Sequence, residues 1–189
     1  MKAFAVLLAL TLGVTGAPEP EFVPAEVRAR RDVVVSAEVA APVTSRPDKE
    51  TTAVEAGAVV VTLDDTFFAA AYEAAKAALD EAEAHREWAE LELRRAERLV
   101  QDKTIGQAEF DRSLLEARRA RATAAILKAR LVEADARLKK ARIRAPFAGR
   151  LVRIYPEVGS YLQVGKPAFR LIDDSRLKIV AYVPAVLLR

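Results

Sequence analysis

The 88 residues from Ala58 to Ala145 contain no proline and a single glycine, Gly106, which lies close to the midpoint of the run. Proline and glycine are the two residues that most readily end a helix, so the run predicts two long helices that turn back on each other near Gly106. Val- and Gly-rich segments that resemble one another flank it on both sides. The chain therefore reads as α+β: a small β domain with a long helical hairpin inserted into its middle. A hairpin of this length carries its tip far from its base, so reach is the property that function must use.

Helix one is expected from about Phe67 to Val100. Its apolar seam includes Phe68, Tyr72, Leu79, Leu93 and Val100 at alternating spacings of 4 and 3, broken only by Arg86. Helix two is expected from about Gln107 to Arg142, with Phe110, Ala117, Leu127, Leu131 and Leu138 on its seam and Ser113 as the one polar member. This is coiled-coil spacing. Alanine at many seam positions lets the two backbones approach closely, and at 1.5 Å per residue each helix extends about 50 Å. Glu90/Arg94, Glu133/Arg137 and Asp135/Lys139 stand four apart in the favourable order, each contributing about 0.2–0.5 kcal/mol. Asp64-Asp65-Thr66 supplies capping residues before helix one, and Thr104-x-x-Gln107 offers a capping box before helix two. Residues 66–103 hold 9 acids and 6 bases, net −3; residues 107–144 hold 5 acids and 11 bases, net +6. Two readings follow: solvated faces that attract one another, or hairpins of neighbouring subunits packed acidic face to basic face.

Composition narrows the function classes. The 52% hydrophobic content overstates the core, because much of it is alanine spread along the helical run. A formal charge of +3 from 30 bases and 27 acids argues against a dedicated nucleic-acid binder. There is no cysteine and only one histidine, which excludes disulfides, thiolate metal sites and imidazole clusters. Lys2, the mostly apolar stretch Ala3 to Val14 and the small residues Thr15-Gly16 before Ala17 read as a secretory signal over 1–16. Residues 17–32, with Pro18, Pro20 and Pro24, read as an extended lead-in.

The two flanks form an internal repeat. The first carries Thr51, Val54, Gly57 and Leu63-Asp64; the second carries Gly159, Leu162, Gly165 and Ile172-Asp173. Paired halves of this form resemble a lipoyl or biotinyl-like domain, a flattened β sandwich split here into 33–65 and 143–174. In such a domain the modified lysine sits on the turn between the halves. The helical insertion over 66–142 occupies that place, and Lys49 precedes the first glycine, so a carrier is the alternative reading and no covalent cofactor is expected.

A lipoyl-like sandwich split by a coiled-coil hairpin resembles the periplasmic adaptors, or HlyD-like membrane fusion proteins, of RND-type tripartite efflux pumps. The resemblance runs from about Val33 to Pro184. Its most specific stretch is Ile143-Arg144-Ala145-Pro146-Phe147-Ala148-Gly149, the family's I-x-A-P-F-x-G motif. Val158-Gly159, Val164-Gly165 and Val183-Pro184 follow, while Thr51 stands where the family usually has glycine. The resemblance implies structural roles for Gly57, Ala145, Pro146, Phe147, Gly149, Gly159 and Gly165. The family's tip motif falls on Arg95, Leu99 and Gly106, with Gly106 replacing a hydroxyl, and Glu109 and Asp111 resemble the start of helix two. By resemblance this tip docks into a TolC-like outer-membrane channel and the β portions stay near an inner-membrane RND-type transporter. A hexamer, residence in the periplasm in association with the inner membrane, and the start of an incomplete β-barrel over 175–189 are likewise implied. For want of strand partners, that last segment is expected to fray from about Ser175.

No catalytic constellation accompanies these motifs, and the chain is not expected to be an enzyme. His85, beside Glu81 and Trp88, has no second histidine or cysteine to form a metal site. Asp64-Asp65 and Asp173-Asp174 stand at strand ends, where aspartate commonly makes a turn. A basic helical module that binds nucleic acid or lipid is a third reading; the export signal opposes the nucleic-acid form.

Overall fold

The computed structural model describes residues 25–181. The expected signal over 1–16, the first part of the lead-in and Val183-Pro184 lie outside the described residues. Two four-stranded sheets form a sandwich. One has the order β2 (Asp32–Ser36), β9 (Pro167–Ile172), β7 (Gly149–Ile154), β4 (Ala53–Val54). The other has the order β6 (Arg142–Arg144), β5 (Val59–Leu63), β3 (Ala41–Ser45), β8 (Tyr161–Leu162). Every ladder is antiparallel. Each sheet takes strands from both halves of the repeat, so neither half can close a sheet without the other. The core between them holds Val43, Val61, Leu63, Leu151, Phe169 and Leu171, all fully buried.

The repeat is a physical symmetry of hydrogen bonds. The Gly57 N–H donates to the Ala145 carbonyl at 2.8 Å, and Gly165 donates to Ala37 at 2.8 Å. Thr51 donates to Leu151 at 2.8 Å, and Gly159 donates to Val43 at 2.8 Å. These four turn residues share the left-handed backbone region, with φ of +80° at Gly57, +80° at Gly165, +85° at Gly159 and +69° at Thr51. A β-branched residue in that region is strained. Thr51 is held there because the sandwich needs the same turn in both halves. Gly149 serves differently. A Cβ at this position would lie 2.2 Å from the Ile172 carbonyl oxygen, so the last residue of the I-x-A-P-F-x-G motif is fixed by a close approach of backbones.

Between β5 and β6 stand α1 (Thr66–Gln101) and α2 (Gln107–Lys140). The expected second helix was two residues too long. Arg142 opens β6 and pairs with Thr62 of β5, because the sandwich edge satisfies its backbone through a ladder. Ahead of the sandwich, β1 (Ala25–Ala29) pairs antiparallel with β10 (Leu177–Ala181) over five residue pairs. The lead-in is therefore partly a strand, and the segment expected to fray after Ser175 finds its partner there.

The aspartate pairs make turns. Asp64 Oδ1 accepts from the Thr66 N–H at 3.0 Å and its hydroxyl at 2.6 Å. Asp173 Oδ1 accepts from the Ser175 N–H at 3.1 Å and its hydroxyl at 2.5 Å. These bonds, the hydroxyl first, hold both carboxyls below the usual aspartate range.

Candidate functional site

The hairpin tip is built by the end of α1. Its last turn closes with Asp102 N–H on the Arg98 carbonyl at 3.0 Å, Lys103 on Val100 at 3.1 Å and Thr104 on Leu99 at 2.8 Å. Lys103 takes φ +57°, the left-handed residue that follows many helix ends. Gly106 then caps α2 in an extended conformation, φ −81° and ψ 160°, and no side chain caps it. The expected Thr104-x-x-Gln107 box does not form. Gln107 is already inside the helix, and its side-chain amide donates to Asp111 Oδ1 at 3.0 Å. Nothing lies within 4 Å of a Cβ built on Gly106, so the backbone there would accept a hydroxyl residue.

Arg95 and Leu99 stand one helical turn apart near the end of α1. Leu99 is exposed, and Arg95 is exposed and paired with Glu92 on its own helix. Beneath them a small cluster of Ala89, Leu93, Ala117 and Ala120, with Phe110 and Leu114 against it, joins the helices. Ala89 and Ala117 are buried completely, so the helices touch nearly backbone to backbone. The tip thus presents a cation with forked donors next to an apolar side chain on a stiff support. The I-x-A-P-F-x-G residues lie far from it in sequence and at the sandwich: Ala145 is buried, and Phe147 packs against the core with the Arg31 guanidinium 5.4 Å from its ring centre.

Arg86, the break in the α1 seam, keeps its Nε buried with no hydrogen-bond partner. The sequence flagged the position but not its cost. Glu90, one turn on, accepts instead from Arg121 Nε at 2.8 Å across the hairpin, and this bond holds its carboxyl below the usual range. His85 stacks on Trp88 with ring centres 5.7 Å apart, and its Nε2 lies 3.6 Å from Glu116. Among the described residues no group of three or more His, Cys, Asp or Glu is placed to hold a metal ion.

No family model matches the chain. The multidrug efflux pump subunit AcrA of Escherichia coli K12 is 28% identical over 143 residues, covering 76% of this chain and 36% of AcrA. The multidrug export protein AcrE of the same organism is 32% identical over 128 residues, covering 68% of this chain and 33% of AcrE. The chain spans between a third and a half of the length of the curated relatives it matches. Among solved structures, a MacA–MexA chimeric protein with the Pseudomonas aeruginosa MexA α-hairpin domain superposes with a TM-score of 0.66. It is 18% identical, and the match covers 88% of this chain and 56% of the chimera. ZneB of Cupriavidus metallidurans gives a TM-score of 0.58 at 21% identity, covering 84% of this chain and 68% of ZneB. The structures share the fold, and the sequence matches cover 68–76% of this chain. By homology the chain belongs to the periplasmic adaptors, the membrane fusion protein family.

Proposed function

We propose that this chain is the sandwich and hairpin of a periplasmic adaptor that bridges an inner-membrane RND-type transporter and a TolC-like outer-membrane channel during efflux. One observation carries the reading. Helices of 36 and 34 residues project from the sandwich at the place where a carrier domain would present its lysine. A stiff arm about 50 Å long suits bridging. The names of the relatives, a multidrug efflux pump subunit and a multidrug export protein, agree with it. In this reading residues 1–16 direct export to the periplasm and the mature chain stays in association with the inner membrane. The lipoyl-like halves span 33–65 and 143–174, held by Gly57, Ala145, Pro146, Phe147, Gly149, Gly159 and Gly165. Residues 175–189 begin a β-barrel domain. Copies assemble as a homo-oligomer, a hexamer in the family.

Docking falls to the tip. Arg95 forks hydrogen bonds to acceptors at the channel end, Leu99 fills an adjacent apolar groove, and Gly106 shapes the return. Crosslinking from position 95 to a co-expressed TolC-like channel tests this. Arg95→Glu should lose the crosslink and efflux with helix content unchanged, because exposed substitutions shift stability by no more than about 0.5 kcal/mol. Equal crosslinking and efflux for both proteins would reject the docking role.

A further inference from the structure

β2 and β6 are edge strands of the two sheets, and on one side of the sandwich they line a single cleft of about 550 Å³. It opens at the root of the hairpin, where α2 runs into β6. Ile143, buried, and Val35, half-buried against the same core, form an apolar floor. Ser36 and Glu38 bound the cleft on the β2 side. Lys139, Lys140, Arg142 and Arg144 bound it on the other.

We propose that this cleft takes an acidic, extended polypeptide segment of another protein, which adds to β6 as an outer strand. The inference goes beyond the bridging role and stands without it. Three observations support it.

The first is the backbone. The Ala141 carbonyl accepts from Leu63 at 2.8 Å and the Ala145 N–H donates to Ala58 at 2.9 Å, so both turn their bonding groups towards β5. Alternation along an antiparallel ladder turns Ile143 the same way. It turns the N–H and carbonyl groups of Arg142 and Arg144 to the free edge. In β2, Ala37 donates to Lys166 and Arg31 accepts from Asp173, which leaves the backbone groups of Val34 facing outward. Unpaired edge groups are a template for an added strand.

The second is charge. Lys140 is paired with Glu38 at 2.7 Å and Lys139 with Asp135 at 2.6 Å. Both lysines also suit the carbonyl end of α2. Arg142 and Arg144 lie beyond the helix. Arg142 reaches Asp65 only at 3.4 Å. Arg144 donates to the Gly57 carbonyl at 2.8 Å and has no carboxylate partner among the described residues. The two least neutralised cations are therefore the two whose backbone is free. A basic strand is repelled by them, whereas an acidic one finds forked donors for its carboxylates.

The third is pattern. The side chains of Arg142, Ile143 and Arg144 alternate exposed, buried, exposed. A strand laid alongside has the same alternation, so it meets the arginines with acidic residues and the apolar floor with the residues between. The segment that fits alternates acidic and aliphatic side chains.

The test uses the full chain and an eight-residue peptide of alternating glutamate and valine, blocked at both ends and labelled with fluorescein. Anisotropy should rise to saturation. Arg142→Glu with Arg144→Glu should weaken binding about tenfold or more, with helical circular dichroism unchanged. Arg119→Glu with Lys128→Glu makes the same change in net charge on the exposed surface of α2 and should leave binding as it was. Amide exchange on the unaltered chain needs no variant: the peptide should slow Arg142 and Arg144 and leave Ile143, already bonded to β5, unaffected. A lysine–valine peptide that binds equally well would overturn the charge argument. A glutamate–valine peptide with alternate nitrogens methylated that binds equally well would overturn strand addition. Equal weakening by the α2 control pair would reduce the site to a diffuse field. Absence of binding, or binding of phosphatidylglycerol vesicles through the same arginines with no response to the peptide, would overturn the proposal.

Discussion

The sandwich and the hairpin bury different things. The sandwich closes over large side chains, Phe169, Leu151, Leu171 and Leu63, contributed by strands up to about 140 positions apart in the chain (Asp32 pairs with Ile172). The hairpin closes over one line of mostly alanines, with Leu79 and Leu93 as the large side chains buried among them. A single seam between two helices cannot exclude water on its far sides. The hairpin therefore draws more of its stability from helix propensity and local ion pairs such as Arg137–Glu133 and Lys139–Asp135. The lesson is that the base is specified by packing and the arm by periodicity. That suits an arm whose surface must stay available while its base stays rigid.

The largest effect should separate the two directly. Phe169→Ala should cost the sandwich about 3–5 kcal/mol, whereas Leu93→Ala should fall near the low end of the 2–5 kcal/mol range, because the thin hairpin seam relaxes around the loss. Denaturant melts followed by circular dichroism measure both. Equal losses would mean that the hairpin core is as tightly packed as the sandwich. Next, Gly149→Ala drives a methyl into the Ile172 carbonyl and should destabilise by about 1–3 kcal/mol, the usual range for overpacking. A melt within error of the parent would show that the two backbones can part.

Arg86→Leu sharpens the comparison from the other side. It replaces a buried, unpartnered Nε with an apolar seam residue and should raise hairpin stability by about 1–2 kcal/mol. Hydrogen exchange in 89–120 should slow accordingly; faster exchange there would show that Arg86 has a supporting role. Thr51→Gly should stabilise the sandwich by up to about 1 kcal/mol, since glycine accepts the positive φ without strain and loses part of that gain to its freer unfolded chain. A lower melting temperature for this variant would mean that the threonine turn is not strained.

Acid should act on both regions through depressed carboxyls. Arg170 hydrogen bonds hold Asp32 below its usual range in the sandwich, and Arg121 does the same to Glu90 in the hairpin. A lowered folded value means that each group's contribution is fully present above the unfolded carboxylate range and is lost as pH falls through the folded value. Both pairs are partly open to solvent, so the effect is small and screened by salt. Asp32→Asn should flatten the acid limb of sandwich stability and leave the hairpin unaffected; an unchanged limb would place the acid sensitivity elsewhere. Smallest of all, Gly106→Ser should add a few tenths of a kcal/mol to α2 by supplying the absent cap.

Much of this molecule was legible in the chain. Both helices, their facing seams and the turn at Gly106 follow from spacing, because a helix satisfies its backbone within four residues and repeats its face every few. The repeat of Thr51-to-Gly57 on Gly159-to-Gly165 was legible for the same reason: a tight turn needs particular residues at fixed offsets. The tertiary structure alone decided the rest. Strand partners are chosen across the whole chain, so nothing local to Asp32–Ser36 says that it lies beside Pro167–Ile172, or that Ala25–Ala29 would shelter Leu177–Ala181. Nor could spacing end α2 at Lys140: the ladder waiting on Val59–Leu63 took the next residues, because unpaired backbone at a sheet edge is better satisfied by a strand than by two more residues of helix.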